Sequence, residues 1–294
     1  MALTLRLPET FMFVDFSSRP PSLQFDGPAS HLTNYRRVYQ GTERQVADAG
    51  CADPLAGYLA TYERLNARHV VLKARDLTST FGVKIANEDV AAFCRTNGER
   101  YIGFAGVDPH KGEAAVAEFE YAVRDLGLRG LNVQGFEHRL PIDDPLLFPL
   151  YRKCVELGMP VNIHCGTNFS TQTSMMYGHP AALDRVMMAL PELRVCASPP
   201  GWPWVQELLA VAWRHPNLWI GTVAVRPRLL ATAHSGYEPL LQYGRTVLKK
   251  RMIFGSAFPM MPVEQALSEF DALPLKDAVR EDWRCNNALE FLGL

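Results

Sequence analysis

The stretch Phe148–Gly166, FPLYRKCVELGMPVNIHCG, decides the fold. Leu147, Leu150 and Cys154 recur at three-to-four spacing and mark one apolar face of a helix. Gly158 follows as a stop, because glycine accepts the left-handed backbone that ends helices. Pro160–His164 is then a short apolar run, which is how a strand buried on both faces of a parallel sheet reads. Helix, stop and buried strand together form one repeat of an α/β fold.

The same unit recurs along the chain. Strands are expected at Phe11–Phe16, His69–Lys73, Tyr101–Val107, Gly130–Gln134, Pro160–His164, Arg194–Ser198, Leu218–Thr222 and Met252–Ser256. Amphipathic helices fall between them. Asp53-Pro54 is a start signal, with Leu55, Leu59, Tyr62 and Leu65 on one face. Val116, Phe119, Val123 and Leu126 repeat the spacing before Gly127, Leu183, Val186, Met187 and Leu190 before Pro191, and Val263, Ala266, Leu267 and Phe270 near the end. Eight strands alternating with helices over 294 residues favour a (β/α)8 TIM barrel in one domain, 1–294. An open doubly wound sheet is the alternative, but no Gly-rich turn follows the first strand. Two connections are longer than a barrel needs, Ser17–Ala52 and Gly166–Pro180. Both follow strand C-termini, where barrel active sites lie, so 17–52 is a candidate lid.

Composition excludes several classes. A net charge of −1 with no Lys/Arg cluster argues against nucleic acid as a partner. No apolar run approaches a membrane helix, and the N-terminus lacks a signal-peptide pattern, so a cytoplasmic protein is expected. The cysteines Cys51, Cys94, Cys154, Cys165, Cys196 and Cys285 show no paired spacing, which suits reduced, buried thiols.

Several phrases, in order, resemble the amidohydrolase-related family that holds aminocarboxymuconate-semialdehyde and resorcylate-type decarboxylases. They are YIGFAGVDPHKG (101–112), GLRGLNVQG (127–135), the stretch quoted above, HPAALDRVMMALPELRV (179–195), GWPWVQELLAVAWRHPNLWI (201–220), RMIFGSAFPMMPVEQAL (251–267) and NNALEFLGL (286–294). The resemblance implies a barrel of the amidohydrolase superfamily, an expected homodimer, and a metal site that this chain departs from. The family's first strand usually ends Asp-x-His-x-His, and here the run is Asp15-Phe16-Ser17-Ser18-Arg19. Its sixth-strand His is replaced by Pro199 and its eighth-strand Asp by Ala257, while the fifth-strand ligand remains as His164. His164 with Cys165 or Cys196 and a loop carboxylate would be needed to rebuild a site. Adjacent strand residues face opposite sides, which separates His164 from Cys165.

The expected chemistry is therefore metal-independent and needs no cofactor: decarboxylation, C–C cleavage or enol isomerisation of a small carboxylate or β-keto substrate. Arg19 would hold the anion with its planar fork and His164 would move the proton. Ser17, Asn132, Gln134, Ser198, Trp202, Arg226 and Ser256 are expected to line the substrate pocket. Two readings stand beside this one: a catalytically silent ligand-binding or partner subunit, and a metal-dependent hydrolase or carboxy-lyase with atypical ligands.

Overall fold

A computed structural model describes residues 12–40 and 52–294, with the side chains of Arg36 and Gln40 left aside. The strands are β1 (Phe13–Ser18), β2 (Ala67–Lys73), β3 (Arg75–Leu77), β4 (Val83–Ile85), β5 (Tyr101–Phe104), β6 (Leu131–Val133), β7 (Val161–Ile163), β8 (Val195–Ala197), β9 (Leu218–Thr222) and β10 (Met252–Phe254). Two parallel arcs form, β1-β2-β5 and β10-β9-β8-β7-β6. They meet at two seams. Ala105 pairs with Leu131, and Asn132 N donates to Ala105 O at 2.7 Å. Ser18 pairs with Phe258, and Arg19 N donates to Phe258 O at 3.0 Å. The result is a TIM barrel of eight strands. β3 and β4 form a separate antiparallel hairpin that the apolar periodicity does not signal.

The helices start and stop where their sequence says. Asp53 Oδ1 accepts from Leu55 N and Ala56 N at 3.0 and 3.1 Å, with Pro54 opening the helix Pro54–Arg64. Gly127 and Gly158, at φ +74° and +65°, end the next units, a conformation that costs other residues energy. β1 departs from expectation. It runs two residues later than Phe11–Phe16, and Phe11 lies outside the described residues. Ser17 and Ser18 remain in the strand, where Ser17 N donates to Asp15 Oδ1 and Ser18 Oγ bonds Tyr58 and Tyr62.

Most of the core lies between the strands and the outer helices. A smaller cluster fills the barrel interior, including Val14, Phe16, Val71, Phe104, Cys196 and Trp219. The last helix, Asn287–Leu292, sets Phe291 edge-on against Phe16 and against Trp219, both at 5.4 Å. Arg194, just before β8, holds the Phe291 carbonyl at 2.6 Å, so this helix seals the end where the strands begin. The opposite end is left for the site.

Candidate active site

A cavity of about 860 Å³ opens at the C-terminal ends of the strands. Its shape begins with β1. The pairing register with β2 shifts between Asp15 and Ser18, a bulge that turns the strand locally. Asp15 and Ser18 both face the helix Pro54–Arg64. The Tyr62 hydroxyl lies 2.7 Å from Asp15 Oδ2 and 2.8 Å from Ser18 Oγ, and Tyr58 Oη lies 2.9 Å from Ser18 Oγ. Ser17 and Arg19 line the cavity with His164, Pro199 and Ala257, and Ser18 borders it as well.

The segment after β1 forms one wall. The turn Ser30–Leu32 and the helix Thr33–Gln40 pack on the loop beyond β7. Asn34 Nδ2 donates to Phe169 O at 2.7 Å, Gln172 Nε2 donates to Ser30 O at 3.1 Å, and Tyr35 meets the Phe169 ring edge-on. Residues 41–51 of the expected lid lie outside the described residues.

The floor is a hydrogen-bonded amide layer. Asn162 Nδ2 and Gln134 Nε2 each donate to Asn132 Oδ1 at 2.9 Å, and Ser198 Oγ donates to Asn162 Oδ1 at 2.9 Å. Buried amides require such partners. Gln134 and Ser198 reach the cavity, whereas Asn132 lies beneath it and spends its other end on the Ala74 carbonyl.

Three cationic side chains line the same cavity: Arg19, Lys73 and Arg75. Arg75 Nη1 donates to Glu137 Oε1 at 2.8 Å, and His31 Nε2 lies 3.1 Å from the same oxygen. Burial alone would raise the Glu137 carboxyl, but Arg75 and the His31 hydrogen bond bring it below its ordinary range. Glu137 thus answers Arg75. Arg19 has no such partner among the described residues, and its Nε is buried and unbonded. Burial and the nearby Arg75 push its guanidinium down to about 10, which still leaves it charged at neutral pH. The excess charge of the cavity wall is therefore positive.

His164 lines the cavity with its ring 4.6 Å from Phe136 and its Nδ1 unbonded. Burial pushes its pKa down to about 4. At neutral pH the ring is neutral, not poised between forms as its ordinary pKa near 6.5 had suggested.

The remaining expected positions separate. Trp202, 40 % exposed, sits at the rim. Arg226 does not line the cavity: its guanidinium is paired with Glu269, with Nε 3.0 Å from Oε1. Ser256 is fully buried at the β1–β10 seam, bonded to Asp15 rather than facing the cavity. Sequence reasoning passed over Lys73, Arg75, Glu137 and His31. Lys73 and Arg75 did carry a signal, two cations at alternate positions ending an apolar strand. Glu137 and His31 lie 106 residues apart, and nothing local announced their meeting.

The chain belongs to the amidohydrolase family, whose model matches residues 31–294. Among curated relatives, the chain is similar to a 2-amino-3-carboxymuconate-6-semialdehyde decarboxylase of Dictyostelium discoideum, 24% identical over 241 residues. That match covers 71% of this chain and 65% of the relative, so the chain spans less than two thirds of it. A gamma-resorcylate decarboxylase of Rhodococcus jostii is 24% identical over 234 residues, covering 66% of this chain and 71% of its own. Among solved structures, an uncharacterized TIM-barrel protein of Bordetella bronchiseptica superposes with a TM-score of 0.80 at 26% identity, over 97% of this chain and all of that one. Among the described residues, no three His, Cys, Asp or Glu side chains converge into a group that would hold a metal ion.

Proposed function

We propose that this barrel is a carboxy-lyase acting on a small carboxylate, and that it works without the family's metal. The observation that carries the reading is Arg19. A partly buried guanidinium whose Nε is buried and unbonded, lining an 860 Å³ cavity, is a site prepared for an anion. Two relatives are decarboxylases by name, one of them of gamma-resorcylate, which makes an aromatic or unsaturated carboxylate the class to try first.

The donor set around His164 does not fit a divalent cation. Pro199 and Ala257 offer no ligand, Ser17 is a weak one, and Arg19 repels a metal. The chain's own groups then have to do the work. Arg19 fixes the substrate by its charge and lowers the entropic cost of alignment. His164, neutral, offers a ring N–H to an oxygen on which charge develops, as a neutral imidazole can. Gln134 and Ser198 add polar contacts fixed by the amide layer beneath them.

The test is release of CO2 from a panel of small carboxylates, including 2,6-dihydroxybenzoate and acetoacetate, by protein stripped with a chelator. Turnover that survives stripping and is not raised by added zinc or manganese supports the reading. Turnover that appears only with metal returns the protein to metal-dependent chemistry. Binding of these acids without any turnover would favour the silent-homologue alternative.

A further inference from the structure

Loss of CO2 leaves an electron pair on carbon, and a cavity without a metal must supply somewhere for it to go. We propose that Lys73 is a nucleophilic amine that condenses with a ketone carbonyl of the substrate, forming a protonated imine that serves as the electron sink. The inference extends the carboxy-lyase reading by naming its substrate class, a β-keto acid.

The geometry comes first. Lys73 is the last residue of β2, at the strand ends where the cavity opens, and it lines that cavity. Its Nζ stands 4.7 Å from the centroid of the Phe16 ring, against the apolar interior cluster. Among the described residues it has no hydrogen bond and no ion pair. Asp15, the nearest carboxylate on β1, faces away toward the helix Pro54–Arg64, and its oxygens accept from Tyr62, Ser17 and Ser256. Cys196 lies nearby with its thiol held protonated by burial. Arg75, two residues on, adds positive charge to the same wall. A lysine both desolvated and set beside another cation is the arrangement that frees an amine for attack. Burial, with a contribution from Arg75, pushes its pKa down to about 7, against partial compensation from Cys196 and Asp15.

The chemistry balances without any co-reactant beyond water. The neutral amine adds to the ketone carbon to give a carbinolamine, which takes up one proton from solvent, loses one water and becomes a protonated imine. The bond between the α-carbon and the carboxylate breaks. CO2 leaves, and its electron pair forms an enamine as the nitrogen gives up its positive charge. A proton from solvent returns to the α-carbon. One water then hydrolyses the protonated imine, releasing the ketone and a proton and restoring the neutral amine of Lys73. The ring N–H of His164 is a donor available to the carbinolamine oxygen as it departs.

Two probes test this. The first is pentane-2,4-dione, a diketone with no carboxylate, which condenses with a neutral amine to a stable enaminone visible by intact mass and peptide mapping. At about pH 7 the adduct is expected on Lys73 at roughly tenfold or more the rate at exposed Lys84, Lys249 and Lys276. It is expected to vanish in Lys73→Arg, which keeps the charge, and in Lys73→Met, which does not, with circular dichroism confirming that both fold. Labelling spread evenly over the exposed lysines, or none on Lys73, overturns the inference. The second probe is acetoacetate with cyanoborohydride, followed for both trapping and CO2. Trapping on Lys73 supports imine formation even if no CO2 appears, and in that case the carboxy-lyase reading fails separately. CO2 release that persists unchanged in Lys73→Arg overturns the imine and leaves the carboxy-lyase reading standing.

Discussion

The carboxylate of Asp15 takes both hydrogen bonds that Ser256 has to give: Ser256 N at 2.8 Å and Ser256 Oγ at 2.5 Å. These two residues lie 241 positions apart and join the first and last barrel strands at the seam that closes the ring. Burial raises the Asp15 carboxyl, while the donors from Ser256, Tyr62 and Ser17 pull it back. Ser256 is therefore a structural clasp. Ser256→Ala removes a hydrogen bond to a buried carboxyl and the acceptor for Phe258 N, and is expected to cost about 1.5–3 kcal/mol. Chemical denaturation measures it, and an unchanged stability would put the hydroxyl back among the substrate contacts.

The contrast between Ser256 and Ser17 shows what a sequence conveys here. Strand positions and helix caps such as Asp53-Pro54 are local, so the alternation of units and the TIM barrel follow from reading along the chain. The orientation of a strand-end residue is less local. Ser17 and Arg19 reach the cavity beside a bulge that lets Asp15 and Ser18 face the same helix, where Tyr58 and Tyr62, 40 or more residues away, bond Ser18. Regular alternation gives the same placement for a different reason. Arg226 has no such constraint in its own sequence; its placement is decided by Glu269, 43 residues on. Lys73 was visible as a cation ending an apolar strand, but its lack of a partner is a property of the folded cavity.

Arg19→Gln is expected to weaken binding of small carboxylates such as 2,6-dihydroxybenzoate by about 10- to 100-fold, the size of one charge-assisted hydrogen bond. No ion pair is broken by the change, since Glu137 is committed to Arg75 and His31. Stability should hold or rise, because a partly buried guanidinium without a carboxylate partner costs desolvation energy. Arg19→Lys should not restore affinity, as an ammonium lacks the planar fork. Titration calorimetry with wild-type affinity in Arg19→Gln would remove Arg19 from the site.

The neutral histidines set an acid limit. His164 and His138 are both pushed by burial down to about 4, against an ordinary value near 6.5. Between those values the unfolded chain binds protons that the folded chain refuses, so stability falls as pH drops from about 6.5 to about 4. His164→Gln removes one of the two contributions. Its unfolding free energy should fall less steeply through this window, by up to about 1.4 kcal/mol per pH unit relative to wild type. Urea titrations at three pH values across the window decide it, and parallel slopes would mean that His164 titrates normally.

Lys73 should show the cost of keeping an amine where an apolar side chain would pack. Its folded pKa of about 7 lies below the ordinary 10.5, so between the two values the unfolded chain holds a proton that the folded chain has released. Its contribution to stability rises with pH across that range. Below about pH 7 the folded protein carries the partly buried ammonium without a hydrogen-bonding partner, and the penalty is full. Lys73→Met keeps the length and the contact with Phe16 while removing the charge. It is expected to raise stability by about 1–4 kcal/mol at about pH 6, with the gain shrinking toward pH 10, where Lys73 is already neutral. The same variant should lose the diketone adduct, trading function for stability as residues kept for chemistry do. Melting temperatures of wild type and variant at acidic and alkaline pH give the answer. A variant less stable than wild type at pH 6 would mean that the ammonium is paired in the folded protein, and that Lys73 is a structural cation rather than a nucleophile.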